Sequence, residues 1–427
     1  MVSDELYKNR LIDEMIQRKL RLFGAVQIDG PKWCGKTTTA THHSVSAISL
    51  ADPSNNYSNK AMALMDPNLV LEGETPRLID EWQEVPLIKD AVRFKCDQSE
   101  NNGLYILTGS SVPTSDSTIH SGAGRISKIR MLTMSLYETG DSSGEVSIRQ
   151  MFDVGLTRPI MTGEVDTSEL IRFCARGGWP KAINYSLDEA KDIPADYIRA
   201  VIDTDLDKLD GVKKKRNKRK VEAIISAMAK TESYVNTTTD CLNDITETDT
   251  DLSVSRGTFL TYSDTLTRLY LLEDQPGYVP NTPISKRTNV KASKHRFTDP
   301  SLVLAALKMQ PNMLLNNITQ FERIFDNLCV HDLRIYAEAL DGQIYHYRDG
   351  SRLSADAVIE LSDGRWAIFN NVLYDYNIDK AAAELLKIEA VYRNCAPSFC
   401  CVISGTSKAA YRRPDGVIVV PLTALKP

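Results

Sequence analysis

The stretch Ala25-Val26-Gln27-Ile28-Asp29-Gly30-Pro31-Lys32-Trp33-Cys34-Gly35-Lys36-Thr37-Thr38-Thr39 decides the fold. A short apolar run ends at Gly30, and Gly30, Gly35, Lys36 and Thr37 fit the pattern G-x-x-x-x-G-K-[ST]. The spacing has a physical cause. Two glycines let the backbone curl with its N–H groups pointing inward around phosphates, and a helix begins at the lysine. Lys36 is then placed to reach the β- and γ-phosphates, and the Thr37 hydroxyl to ligate Mg²⁺. Pro31, Lys32, Trp33 and Cys34 between the glycines, and Thr38 after them, complete the expected cradle for a nucleoside triphosphate such as ATP. A strand running into such a loop and then a helix predicts an α/β domain with a central parallel sheet.

Working outward, Val45 to Leu50 reads as a second strand, and the polar, Asn-rich stretch from Asp52 to Lys60 as a loop. Arg77-Leu78-Ile79-Asp80-Glu81-Trp82 is an apolar strand ending in two acids. Opposite a phosphate loop, Asp80 is expected to hold Mg²⁺ and Glu81 to orient the attacking water, the acidic pair that separates a hydrolysing ATPase from a mere binder. A further strand, Leu104 to Leu107, exits into Thr108-Gly109-Ser110-Ser111, where a sensor of the γ-phosphate would sit. Thr108 and Ser110 both qualify, and the pattern does not choose between them. His120-Ser121-Gly122-Ala123-Gly124-Arg125-Ile126 carries an arginine on a glycine-rich loop before a strand at Ser127 to Met131. Arg125 is either a surface residue or an arginine finger beside the site, a device worth about 10³ to 10⁵ in rate. If it acts in trans, the protein self-associates to hydrolyse ATP efficiently.

Composition sets the boundaries. With 427 residues and 42% hydrophobic content the chain can build two or three cores. Charged and apolar residues alternate from Met1 to Leu22, which predicts no secretory signal, and no stretch is long enough to span a bilayer. Eight cysteines without a C-x-x-C pair read as reduced, cytoplasmic thiols. A net charge of −5 argues against wholesale coating of nucleic acid but leaves room for local basic clusters.

Several phrases point one way: D-G-P-K-W-C-G-K-T-T-T-A, L-V-L-E-G-E-T-P-R-L-I-D-E-W-Q, L-T-G-S-S-V-P, H-S-G-A-G-R-I, M-S-L-Y-E-T-G-D-S-S-G-E-V-S and R-G-G-W-P. L-Y-L-L-E-D-Q-P, D-P-S-L-V-L-A-A-L and H-D-L-R-I-Y-A-E-A-L continue the likeness over nearly the whole chain. Together they resemble the bacterial AAA-type ATP-binding proteins that carry a C-terminal domain of unknown function with a restriction-endonuclease-like core. The resemblance implies a P-loop ATPase core over 1–150, a helical lid over 151–210, a winged-helix-like middle over 211–300 and a PD-(D/E)xK-like domain over 301–427. It gives Gly30, Lys36, Thr37, Asp80 and Glu81 the ATP-binding and hydrolysis roles, and makes Arg176 of R-G-G-W-P a second nucleotide-sensing arginine. Trp179 and Pro180 read as structural.

Ile193 to Asp210 shows helical spacing. The run Lys213-Lys214-Lys215-Arg216-Asn217-Lys218-Arg219-Lys220 is either a grip on a phosphate backbone or a solvated helix start. The apolar positions after it suit a small helix-turn-helix module, and the Thr- and Asp-rich Asn236 to Asp251 reads as a loop or insert. Further on, a helix (Phe321 to Leu340) precedes strands Gln343 to Tyr347, Ala355 to Leu361 and Trp366 to Phe369, separated by Asp-Gly turns. A nuclease of the resembled kind needs an acid on the helix, an Asp on the second strand and E-x-K on the third. Here Asp326 and Asp356 take the first two places, but Asn370 and Val372 stand where Glu and Lys are expected. Glu360 lies about 13 Å beyond Asp356 along its strand, too far to substitute. An amide is a poor Mg²⁺ ligand and valine carries no charge, so the domain reads as catalytically dead and left to dock nucleic acid or protein. The sequence therefore predicts a Mg²⁺-dependent ATPase. A nucleotide-gated binding module of negligible turnover is the alternative.

Overall fold

A computed structural model describes residues 7–110, 123–206, 217–233, 238–279 and 292–427. Ser111, the His120–Gly122 part of the glycine-rich loop and the lysines of the basic run up to Arg216 lie outside the described residues. The chain groups into two compact units: 1–133, 200–216 and 265–271 form the first, and 134–199, 217–264 and 272–427 the second. Neither follows the four expected boundaries, because each unit gathers separate segments.

The first unit is built on five parallel strands: β1 (Ala25–Asp29), β2 (Ser46–Ser49), β3 (Arg77–Asp80), β4 (Tyr105–Gly109) and β5 (Ile126–Arg130), in the order β2-β3-β4-β1-β5. Strands covered by helices on both faces must be apolar on both. Alternation along β1 does this: Val26 and Ile28 join Ile16, Ala40, Leu78, Ile106 and Ile129 on one side, while Ala25 joins Ile79, Leu107, Ile88 and Val92 on the other. The helix Lys36–His42 follows the glycine-rich loop, with Gly35 in the left-handed region at φ +102°. The stretch expected to be a loop from Asp52 to Lys60 opens the helix Ser54–Met65, whose residues Asn55, Asn56 and Tyr57 have φ of +50° to +58°. Asparagine tolerates that conformation, so the regular helix is delayed by a turn rather than absent.

In the second unit the helix Ile318–Ala339 leads into β10 (Gly342–Arg348), β11 (Ser354–Leu361) and β12 (Trp366–Val372), an antiparallel set. The helix Ile378–Val391 then crosses over to β13 (Cys400–Ser404), parallel to β12, and β15 (Ile418–Pro421) continues the parallel part. The seven-stranded sheet closes with β14 (Ala409–Arg412) and β7 (Ile160–Met161), in the order β10-β11-β12-β13-β15-β14-β7. Another distant pairing joins β6 (Val146–Ser147) to β16 (Leu425–Lys426).

Between these segments stand the helices Lys218–Lys230, Thr238–Thr248 and Arg256–Arg268, then an antiparallel pair, β8 (Leu272–Gln275) and β9 (Lys294–Phe297). The middle helix corrects the expected loop at Asn236 to Asp251. Its Cys241 and Ile245, four residues apart, are buried, and two such anchors on one face suffice to dock a polar helix. The helix expected from Ile193 to Asp210 covers Asp192–Ala200 and continues as a π-helical turn over Val201–Asp205.

Candidate nucleotide site

In an open parallel sheet, ligands sit beyond the carboxyl ends of the strands, where the strand order reverses. The first unit brings its expected residues to that edge. Register puts Ser49, Asp80, Thr108 and Ile28 in one row across β2, β3, β4 and β1, with Asp29 and Gly109 one step further. Paired residues of parallel strands project to the same side, so the row becomes a hydrogen-bonded group. Thr108 Oγ1 donates to Asp80 Oδ1 at 2.6 Å, Thr37 Oγ1 to the same oxygen at 2.8 Å, and Ser49 Oγ to Asp80 Oδ2 at 3.3 Å. Ser49 was invisible as a site residue in the sequence; only the register reveals it.

The loop above this row is tightly made. Lys36, 6% exposed, donates from Nζ to the carbonyls of Gly30 (2.9 Å) and Pro31 (2.7 Å), which holds its ammonium within the curl. Gly30 has φ +156°, and a Cβ there would lie 2.0 Å from the Met131 carbonyl oxygen, so no side chain fits. Buried Arg10 ties the loop down by donating to the carbonyls of Cys34 and Leu132, each at 2.9 Å. Cys34 is buried, while Trp33 is exposed with φ +64°. Thr37 and Thr38 are exposed at the start of the helix. Lys32 forms a 2.6 Å ion pair with Asp205 of the π-helical turn, a carboxylate that is 7% exposed.

Magnesium prefers hard oxygen ligands in octahedral geometry at about 2.0–2.1 Å, which places neighbouring ligand oxygens about 2.9 Å apart. Thr37 Oγ1 and Asp80 Oδ1, 2.8 Å apart, fit that demand. Glu81 follows immediately in the left-handed region at φ +56°, a conformation that carries strain for a non-glycine residue and turns the side chain out of the strand direction. Its carboxylate accepts from Ser110 Oγ at 3.1 Å and from Gln83 Nε2. Each candidate hydroxyl thus serves a different acid: Thr108 is on Asp80 and Ser110 on Glu81. At the end of β1, burial pushes the Asp29 carboxyl above its ordinary range, against the hydrogen bond from Gln27.

Arg125 lies away from that edge. It precedes β5, and its carbonyl accepts from Ala25 N, so it lies at the amino ends of the parallel strands. The phosphate loop leaves the carboxyl end of β1, four residues or about 13 Å away. Arg125 is about half exposed and pairs with Asp97. The motif left it either a finger beside the site or a surface residue; strand direction puts it at the opposite edge. Arg176 belongs to the second unit. There it is 3% exposed and donates to Asp141 Oδ2 at 2.7 Å and to the Gly177 carbonyl. Burial raises the Asp141 carboxyl, but the hydrogen bond and charge of Arg176 outweigh it and hold the carboxyl below its usual range.

Residues 23–140 match the family model of the AAA domain, and residues 167–313 that of a domain of unknown function, DUF8612. A search of curated proteins gives no match. Similar solved structures include a Walker-type ATPase of Pyrococcus abyssi, at 11% identity and a TM-score of 0.41, covering 71% of this chain and 97% of that one. The Aeropyrum pernix ORC2 protein, solved as ADPNP and ADP complexes, gives 13% identity and a TM-score of 0.33 over 74% and 98%. The Aeropyrum pernix ORC1 protein in complex with DNA gives 10% and 0.27 over 74% and 97%. No described helix is long and apolar enough to cross a membrane.

Proposed function

We propose that the chain is a Mg²⁺-dependent ATPase. The observation that carries this reading is the hydrogen-bonded row of Thr37, Asp80, Thr108 and Ser49 beneath a lysine-filled glycine loop, with Glu81 turned out beside it. Lys36 binds the phosphates, Thr37 and Asp80 hold the metal, and Glu81 positions the attacking water, its proton-accepting oxygen steadied by Ser110. Bound magnesium supplies neutralisation of charge on the β- and γ-phosphates. Ser110 is the better-placed sensor, because it contacts Glu81, the acid assigned to the attacking water, whereas Thr108 contacts the metal-holding Asp80. Arg125 serves hydrolysis only from a neighbouring copy, since its own phosphate loop lies at the far edge of the sheet. Steady-state phosphate release with Mg²⁺-ATP tests the assignment. Glu81→Gln should lower turnover about 10²- to 10⁴-fold with nucleotide binding retained. Lys36→Ala should lose binding itself. Unchanged turnover in the first variant, or unchanged affinity in the second, defeats the reading.

For the second unit we infer a winged-helix-like middle, from three helices followed by the β8–β9 hairpin, and a nuclease-like sheet without catalysis. The contacts that support this reading favour places one residue further along β12. Asn371, not Asn370, donates to Asp326 of the long helix (Nδ2 to Oδ1, 2.6 Å), while Asn370 donates to Ala381 of the helix Ile378–Val391. In this reading Asn371 takes the Glu place and Leu373, just past the end of β12, the Lys place, and neither carries charge. Metal-dependent nicking of DNA that disappears in Asp356→Ala would overturn this part.

A further inference from the structure

The second unit contains a concentrated charge cluster that the ATPase reading does not use. Glu232 follows the helix Lys218–Lys230, Asp326 comes from the helix Ile318–Ala339, and Asp356 from β11. Facing them are Lys294 and Arg296 of β9. Strand alternation puts these two cations on one side, 6% and 2% exposed, with His295 outward on Asp274. Arg296 Nη1 donates to Asp326 Oδ2 at 2.9 Å and lies 3.6 Å from Glu232 Oε1. Its Nε donates to Gln275 Oε1 at 2.7 Å, and Nη1 also meets Ser233 Oγ at 3.1 Å, so the guanidinium is fixed from several sides.

The acids are equally committed. Asp326 Oδ1 accepts from Asn371, Asp356 Oδ2 from the Asn371 backbone at 2.9 Å, and Glu232 from Asn327 Nδ2 at 3.0 Å and Phe297 N at 3.1 Å. Burial pushes Lys294 below its usual range and Arg296 presses it further down, against the pull of Asp356, Asp326 and Glu232. Burial pushes Asp326 up, but Arg296 and Lys294 outweigh it and hold its carboxyl down. Burial and the neighbouring Asp326 push Asp356 up to about 6. Among the described residues there is no group of three or more His, Cys, Asp or Glu placed to hold a metal ion. A divalent cation entering here would have to expel the buried guanidinium of Arg296 or else crowd its charge against it.

We propose that Arg296, with Lys294 buried beside it, takes the place of a divalent cation in this carboxylate pocket, making it a metal-independent lock that pins β9 to the long helix. The comparison with a metal site rests on the nuclease-like reading of the sheet; the lock itself rests on the contacts of Arg296 with Asp326, Glu232, Gln275 and Ser233. Mn²⁺ titration of the full chain without nucleotide, followed by electron paramagnetic resonance, tests it together with hydrogen exchange at Lys294–Phe297. Wild type and Asp356→Asn should give the same Mn²⁺ isotherm, and exchange in wild type should ignore EDTA. Lys294→Met/Arg296→Met should gain one bound Mn²⁺, lost again on adding Asp326→Asn, with exchange in β9 at least tenfold faster. A wild-type Mn²⁺ site that Asp356→Asn removes overturns the proposal, as does a folded double variant that gains none. If the double variant does not fold, the wild-type and Asp356→Asn isotherms alone decide. DNA nicking, by contrast, would strike at the dead-nuclease reading, and neither result touches the ATPase assignment.

Discussion

Replacing Arg296 by Met removes one partner of a buried ion pair while leaving most of the side-chain volume. Asp326 loses the guanidinium and keeps the Asn371 amide, the Ser233 hydroxyl and the more distant charge of Lys294, while Gln275 Oε1 loses a donor at 2.7 Å. Removing one partner of a buried pair typically costs about 3–5 kcal/mol, since the remaining charge is stranded in low dielectric. For a unit of roughly 270 residues each kcal/mol moves Tm by about 2 °C, so the variant should melt about 6–10 °C lower in calorimetry. The stranded charge, not the lost volume, sets the effect. Arg296→Met/Asp326→Asn should therefore recover at least half of the loss, a coupling that a double-mutant cycle reads directly. A single-variant shift under 2 °C, or a double variant as unstable as the two singles summed, would refute the reasoning.

Three other outcomes are expected. Gly30→Ala should abolish nucleotide binding in an equilibrium assay, because its Cβ would strike the Met131 carbonyl. Asp356 is a carboxyl whose folded-state pKa of about 6 exceeds the unfolded value, so the folded chain holds more protons between pH 4 and 6 and stability falls as pH rises through that window; the Tm of Asp356→Asn relative to wild type should accordingly climb from pH 4 to pH 7. Asp205→Asn frees Lys32 from its 2.6 Å pair and removes a negative charge from beside the phosphate loop. Titration with ATP should show tighter binding, within about tenfold or 1.4 kcal/mol.

The first unit was largely legible because its chemistry is local. Gly30, Gly35, Lys36 and Thr37 are neighbours in sequence, and Asp80 and Glu81 close one strand. What escaped depends on how strands align. Ser49 looked like the end of an ordinary strand until register set it beside Asp80, and the motif left Arg125 either a finger or a surface residue, without strand direction to show that a parallel strand begins at the opposite edge from where its neighbour ends. That Asn371 rather than Asn370 reaches Asp326 has the same origin, since a period of two turns a miscount into the wrong face. Lys294 and Arg296 gave no signal at all. Lys-His-Arg in a short hairpin reads as a solvated turn, and its acidic partners lie roughly 30 to 60 positions away in the chain, a pairing that only long-range packing creates.

The bridge between β6 and β16 bears on how the protein is made. Val146 and Leu425 are strand partners, and Ser142 Oγ donates to the Leu425 carbonyl at 2.6 Å. A ribosome adding about 5–20 residues per second needs some 15 to 60 seconds between the two positions. During that interval Val146 and Ser147 await their partner strand while the phosphate-loop unit has already emerged up to Thr133. Synthesis therefore exposes a half-built second unit for longest, the period in which a chaperone has most to shield.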